Sequence, residues 1–190
     1  MGKLFYGFIT LAIGAVVAHL AIVLLLPLTA PSTAARQLAG VMPEAIASPS
    51  DLSALQRDGT IDLHLDPAFR IIGCRYDVSE APMRISGSGR IDFWSVSVLD
   101  SFGVSIFSAN NRISPTPGVD LAVLSAPQLR SFRQSPDERL ANTIVVPSND
   151  LTGFVVVRLF EPDGSWTALV DNFISATSCE PVPNFGDLAG

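Results

Sequence analysis

The chain divides into one uninterrupted apolar segment and a longer region in which apolar and polar residues alternate. Residues 4–28 contain no charged side chain and consist mostly of Leu, Ile, Val, Ala and Phe. A helix needs about 20 such residues to cross the ~30 Å hydrocarbon core of a bilayer. Pro27 and Pro31 stand at the end of the run, where a helix can stop. The pattern predicts one transmembrane helix over residues 4–28.

A cleaved signal peptide is the main alternative interpretation of this segment. Signal peptides carry an apolar region of ~7–15 residues, followed by a small-residue cleavage site. Here the apolar run is longer, and the first such site, Thr33-Ala34-Ala35, lies beyond it and behind two prolines. No cysteine follows the run, which argues against a lipoprotein anchor. We therefore favour an uncleaved anchor.

A linker follows over residues 29–50, rich in Ala, Pro and Ser, in which the pattern allows one short helical turn around Arg36 to Val41. After it the pattern becomes that of short strands. Residues 61–66 alternate between apolar and polar, which is the period of a half-buried strand. The further candidate strands are residues 69–78, 82–86, 91–99, 104–108, 121–124, 143–146 and 154–160. Turn signals such as Gly87-Ser88-Gly89 and Asp100-Ser101-Phe102-Gly103 separate these strands.

Two segments show helix signals instead. One helix is predicted to start at Ser135, which is followed by Pro136 and Glu138. Ser165 is predicted to cap a second helix with a buried apolar stripe. The stripe consists of Trp166, Leu169, Val170, Phe173, Ile174 and Thr177.

The whole pattern predicts a mainly β fold behind one transmembrane helix. Seven to nine short strands with few helices are typical of an antiparallel β-sandwich or a jelly-roll-like domain. In this chain a C-terminal amphipathic helix completes that domain, and we expect its apolar stripe to pack on a sheet. We place the soluble domain at residues 51–179 and a disordered tail at 180–190.

The charge of the soluble part excludes some partners. The chain has a net charge of −6, and Lys3 is its only lysine. Beyond the apolar segment 11 arginines stand against 18 acidic residues, a net charge of −7. Nucleic-acid binding needs clustered positive charge, so we predict no nucleic-acid partner. A domain lying flat on anionic lipid is disfavoured for the same reason.

Orientation and cysteine usage are consistent with each other. Lys3 precedes the apolar segment, and by the positive-inside rule it favours a cytoplasmic N-terminus and an exported domain. Cys74 and Cys179 are the two cysteines of the chain. Two thiols in an exported domain can form a disulfide. We predict that pair, with two separate buried thiols as the alternative.

Several polar residues are candidates for chemistry. His19 lies within the apolar segment, where it could hydrogen-bond a second membrane helix or stay neutral and unpaired. Asp62, His64 and Asp66 fall on one face of a predicted strand, but parallel side chains do not converge on an ion. We interpret that triplet as a solvated face and predict no metal site.

A second group of polar residues is a candidate contact surface for a ligand or a protein partner. Its members are Arg75, Asp77, Asn110, Asn111 and Arg112. Arginine can bind a carboxylate with two hydrogen bonds, which favours a cleft for such a group. The simpler interpretation is a set of turn-stabilising hydrogen bonds and ion pairs, because Asn-Asn favours turns.

The order of short motifs along the chain resembles a known family. The motifs are His19 in the anchor, Cys74-Arg75-Tyr76-Asp77, Phe93-Trp94-Ser95-Val96-Ser97-Val98, Asn110-Asn111-Arg112, Val155-Val156-Val157-Arg158, Pro162, Trp166 and Ser178-Cys179. From the anchor to Cys179 the chain resembles the short bacterial inner-membrane proteins catalogued as domain of unknown function 1254. The Phe-Trp-Ser segment is the most specific part.

This resemblance implies a compartment and not a reaction. It implies one inner-membrane anchor, a cytoplasmic N-terminus and a β-rich periplasmic domain. It also implies a partner, because genes of the family often lie beside one for a second small membrane protein. That second protein belongs to the family catalogued as domain of unknown function 1214.

The sequence contains no pattern that identifies a catalytic or cofactor site. A nucleophile elbow, a phosphate-binding loop and a zinc signature are all missing from it, and His64 is the only imidazole beyond the anchor. We therefore expect a non-enzymatic protein-interaction module without a cofactor. The alternative is an enzyme or a small-ligand binder. A filled sandwich interior favours the first hypothesis, and a deep polar pocket favours the second.

Overall fold

The computed structural model describes residues 2–29, 33–42, 48–183 and 185. The chain forms two compact units, residues 1–33 and 34–190. The first unit contains one helix, α1 (Gly2–Thr29). Its Gly2–Leu25 part has no buried residue and is long and apolar enough to cross a membrane.

The second unit is built on two β-sheets. Sheet A has the strand order β1-β2-β8-β4-β5, and every neighbouring pair is antiparallel. Its strands are β1 (Ser50–Asp51), β2 (Phe69–Asp77), β4 (Trp94–Leu99), β5 (Ser105–Asn110) and β8 (Thr152–Phe160). Sheet B has the order β7-β6-β3-β9, with one parallel pair, β6 and β7. Its strands are β3 (Met83–Gly87), β6 (Val119–Ser125), β7 (Ile144–Ser148) and β9 (Ser178–Pro181). The predicted fold class, a mainly β and mostly antiparallel sandwich, is confirmed.

Side chains from both sheets fill the space between them. Trp94, Val96 and Val98 of β4 point into this core and are at most 1% exposed. Helix α5 (Thr167–Ser175) adds Val170 and Phe173, so part of its predicted stripe is buried. Burying one such side chain contributes roughly 1.5–3 kcal/mol, and the core is therefore the main source of stability.

Helices cover the outer faces of both sheets. Helices α2 (Thr33–Val41) and α3 (Leu52–Arg57) pack on sheet A. They cover the side chains of Ile71 on β2 and Phe154 on β8, which are buried. Helix α4 (Ala126–Gln134) packs on sheet B. Because sheet A is covered on both faces around its central strand, β8 is a nearly continuous apolar run.

Part of the segment predicted as a linker belongs to the domain. Helix α2 lies within residues 29–50, and Ala35, Leu38 and Met42 are buried against sheet A. The helix is therefore packed on the domain and is not a free tether. Residues 43–47 of the predicted linker lie outside the described residues.

The predicted strand over residues 61–66 is wrong, because this segment pairs with no strand among the described residues. Its backbone donors bind side chains instead. The Asp62 N–H donates to Gln37 Oε1, and the Leu65 N–H donates to Gln56 Oε1, both at 2.9 Å. The apolar positions of the segment still pack beneath α2 and α3, namely Ile61, Leu63 and Leu65. Alternation therefore predicted their burial correctly but not the strand.

The helix predicted from Ser135 is shorter and starts later. Asp137 caps a 3₁₀ turn, Glu138–Leu140, and its carboxylate accepts the N–H of Arg139. Helix α4, which ends at Gln134 shortly before this turn, is not predicted by the sequence pattern. Gln128 marks its start, because Gln128 Oε1 accepts the Ser125 N–H at 2.9 Å. This interaction is one half of a capping box.

The predicted disordered tail begins later than residue 180. Residues 178–181 form β9, which pairs with β3. Val182 is buried, and its N–H donates to the Pro82 carbonyl at 2.7 Å. The ring of Phe185 stacks on Phe132 of α4. Residues 184 and 186–190 lie outside the described residues.

Cys74 and Cys179 form the predicted disulfide. Cys74 lies on β2 of sheet A and Cys179 on β9 of sheet B, so the bond joins the two sheets. Their Cα atoms are 6.4 Å apart, within the usual range for a disulfide. The bond closes a loop with a sequence separation of 105 residues.

We predict that Cys179→Ser lowers the free energy of unfolding strongly. Closing so long a loop restricts the unfolded chain, and the chain-entropy model gives about 4–5 kcal/mol as an upper figure. Denaturant unfolding of the full chain in mild detergent measures the loss. Cys74→Ser removes the same bond and should therefore lower the free energy of unfolding by a similar amount. An unfolding midpoint of the wild-type protein that does not change on reduction would contradict the prediction.

We predict that Gly153→Ala destabilises the domain by about 1–3 kcal/mol, the usual cost of overpacking. A methyl group at Gly153 collides with the ring of Tyr76 and the carbonyl oxygen of Leu99. Gly164→Ala is the control, because nothing lies within 4 Å of its added methyl group. Thermal unfolding of both variants checks this, and equal melting temperatures would refute the close packing of β2 and β8 at this point.

Candidate functional site

The space between the sheets is filled. The inward-facing side chains of β3, β6 and β8 are almost fully buried, among them Ile85, Leu121 and Val155, each 0% exposed. A filled interior favours the hypothesis of a protein-interaction module over that of a small-ligand binder. The candidate sites therefore lie on the surface.

Three loops meet at one end of the sandwich, which we call the loop end. The register fixes this end, because Asp77 at the end of β2 pairs with Thr152 at the start of β8. The loops are residues 78–82, 100–104 and 149–151. A backbone hydrogen bond of 2.8 Å, from the Val78 N–H to the Leu151 carbonyl, ties two of them together.

A groove of about 520 Å³ opens at the loop end beside the disulfide. Arg75, Asp77, Glu80 and Thr152 supply its polar groups, and its apolar wall includes Met83. Arg75 and Asp77 are two of the predicted contact residues. Under the alternative hypothesis of a small-ligand binder, the ligand would bind in this groove.

The electrostatics of the groove are set by Asp77. Hydrogen bonds from Ser79 hold the pKa of the Asp77 carboxyl below its usual value, and the positive charge of Arg75 adds a smaller effect. The Ser79 N–H donates to Asp77 Oδ1 at 2.8 Å. Asp77 is therefore ionised at neutral pH and presents a fixed negative charge beside Arg75.

Asn110 and Arg112, the other predicted contact residues, lie far from this groove. Ser95 pairs with both Asn110 and Arg158, and Arg158 lies near the end of β8. Asn110 and the nearby Arg112 therefore lie at the end of the sandwich opposite the loop end. There Asn110 Oδ1 accepts the Arg112 N–H at 3.0 Å, so Asn110 stabilises a turn. Asn111 does likewise, donating its side-chain amide to the Asp92 carbonyl at 2.9 Å. The predicted contact residues thus do not meet in one site.

The remaining candidates are isolated. His64 Nδ1 lies 3.2 Å from Asp62 Oδ1, and both side chains are largely exposed. Asp66 instead accepts the Ala68 N–H. In the part of the chain that the structure describes, no group of three or more His, Cys, Asp or Glu side chains could hold a metal ion. His19 lies exposed on α1, and its contact with a second helix stays a prediction.

A patch of exposed apolar side chains also lies at the loop end. Phe102 is 68% exposed, Val104 60% and Leu151 53%. We call these three residues the loop-end patch. Polar contacts hold the tip of the β4–β5 hairpin in place. The Asp100 carboxylate accepts the N–H groups of Phe102 and Val104, at 3.0 and 2.8 Å.

The sequence pattern predicts the β4–β5 turn but not this patch. Turns usually place polar residues at their tips, whereas this one places Phe102 there. Gly103 adopts the positive φ of 81° that the turn requires. The combination of a strong turn signal with an aromatic residue at the tip was the available sign of an exposed apolar surface.

Comparison with known proteins adds a partial likeness in fold. No protein-family model and no curated protein matches the chain. It is similar to the VPA0106 protein of Vibrio parahaemolyticus, with 13% identity over 62% of this chain and a TM-score of 0.49. It is also similar to an uncharacterized protein of Burkholderia cenocepacia, with 15% identity over 61% of this chain and a TM-score of 0.42. The alignments cover 28% and 31% of those two chains, so this chain spans less than a third of either.

Proposed function

We propose that this chain is a single-pass inner-membrane protein whose β-sandwich binds another membrane or periplasmic protein. The observation that carries the proposal is the loop-end patch, Phe102, Val104 and Leu151. We further propose that the chain belongs to the family catalogued as domain of unknown function 1254. Its partner is then the neighbouring small membrane protein of the family catalogued as domain of unknown function 1214.

The anchor and the disulfide together support the compartment. Helix α1 has the length and composition of a membrane span. A disulfide persists in oxidising compartments and is rare in the cytosol. A domain that carries such a bond and follows a single membrane helix therefore faces the periplasm, with the N-terminus and Lys3 on the cytoplasmic side.

The surface supports binding to a protein. Three large exposed apolar side chains at one end of the domain support an interaction site there. The loop-end patch contains an aromatic residue, Phe102, at a turn that Asp100 already holds in place. The turn therefore loses little conformational freedom when a partner packs on it. The filled interior favours this role over that of a small-ligand binder.

The orientation has a direct test. A reporter that is active only in the periplasm, fused after Gly190, should be active, because the domain follows one membrane crossing. The same fusion with a reporter active only in the cytoplasm should be silent. The reverse result would overturn the orientation. A mature protein that starts near Arg36 would show a cleaved signal peptide instead of an anchor.

The interaction is tested at the tip of the hairpin. Phe102→Ser should reduce recovery of the proposed partner at least tenfold in mild detergent, since an aromatic hot spot contributes about 2 kcal/mol or more. Leu169→Ser, at an exposed apolar position on α5, is the matched control and should leave recovery unchanged. Equal recovery by both variants, or no stable partner for the wild-type protein, would contradict the proposal.

A further inference from the structure

The edge strands of the two sheets differ in how they are protected. An edge strand exposes backbone N–H and C=O groups that pair with another strand unless proline, charge or short length prevents it. Among the described residues, β1 is only two residues long, β7 contains Pro147, and β9 contains Glu180 and Pro181. Strand β5, the remaining edge, contains neither a proline nor a charged residue.

Strand β5 is also open to solvent. Ser105, Ile106 and Ser108 are exposed, and Ile106 is 40% exposed although it is apolar. The whole stretch from Ser101 to Asn111 carries no charge. The pairing of β4 with β5 shifts register only at the hairpin end, between Val98 and Leu99, so the rest of the edge is regular.

We propose that two copies of this chain pair through β5, with the strands antiparallel about a two-fold axis. Sheet A of each copy then continues into that of the other. Antiparallel pairing of a strand with itself presents the same surface from both sides, which is what a two-fold dimer requires. The backbone groups of β5 supply the hydrogen bonds, and Ile106 contributes apolar contact.

The absence of charge along β5 allows a second copy to be the occupant. The chain carries a net charge of −6, so two copies repel each other over much of their surface. Like charges placed opposite each other between strands are destabilising. The uncharged stretch from Ser101 to Asn111 lets two equally acidic copies meet without that cost. Ser108 already shares a hydroxyl contact of 3.1 Å with Ser97, and a row of serines tolerates a continued sheet.

The pairing is separate from the proposed binding of a second protein. The loop-end patch lies before β5 and in the loop before β8, whereas pairing uses the strand itself. If the proposed anchoring holds, the membrane confines the copies and raises their effective concentration, which favours the dimer. Pairing through β5 does not require a membrane, however, and it is tested on the purified full chain.

Light scattering on the full chain in mild detergent measures the protein mass of the particle. The wild-type protein should have twice the chain mass of 20.2 kDa. Ser108→Lys should halve the measured mass, because any two-fold register of so short a strand brings the two lysines close together. Ser175→Lys makes the same change at an exposed position on α5 and should keep the dimer. Unchanged melting temperatures would show that both variants fold.

Ser105→Lys is the second test at the β5 edge and should also give a monomer. A wild-type protein that is monomeric at every concentration would overturn the pairing. A dimer that survives both lysine substitutions would overturn it as well, because the contact would then lie elsewhere, for example between α1 helices. Partner recovery that depends on Phe102 while the chain is monomeric would leave the proposed function standing and refute the dimer alone.

Discussion

The covalent bond between Cys74 and Cys179 is the constraint that organises the domain. It joins β2, which lies beside the edge strand of sheet A, to β9, the edge strand of sheet B. One side of the sandwich is therefore closed. Strands β5 and β7 form the other edges, and they approach each other where Ile106 and Pro147 line one hollow. Phe102 and Ile106, two of the exposed apolar residues, line this hollow on the second side.

A network of charged side chains around Arg70 links β2, β8 and α3, in addition to the disulfide that links the two sheets. The Arg70 Nε donates to Asp51 Oδ2 at 2.6 Å, and its guanidinium also lies 3.5 Å from Glu161. Asp51 caps α3 by accepting the Ala54 N–H. Arg70 is only 16% exposed, so this pair is less screened than a surface ion pair. One arginine thus ties β2, the end of β8 and the first turn of α3 together.

Local patterns predicted most of the strands, whether the partner strand is near or distant in the chain. They failed where side chains of other elements take the backbone donors of a segment or cover it. Alternation at Trp94, Val96 and Val98 gave β4 correctly, and the count of two cysteines gave the disulfide. Residues 61–66 have the same alternation, but the glutamines of α2 and α3 take their backbone donors. The composition of residues 33–42 resembles a linker, yet their apolar side chains Ala35, Leu38 and Met42 are buried against sheet A. Arg75 and Arg112 carry the same chemistry, and only the register shows that they lie at opposite ends.

The acidic surface and the uncharged edge act together. Net negative charge keeps copies of a domain apart and suppresses unspecific association. A specific contact between copies requires a surface without this repulsion. The stretch from Ser101 to Asn111 is such a surface, because it contains no charged residue. The apolar tip at Phe102 and the open backbone of β5 lie within this one stretch. The proposed contact at Phe102 and the proposed pairing through β5 therefore both fall within this uncharged stretch.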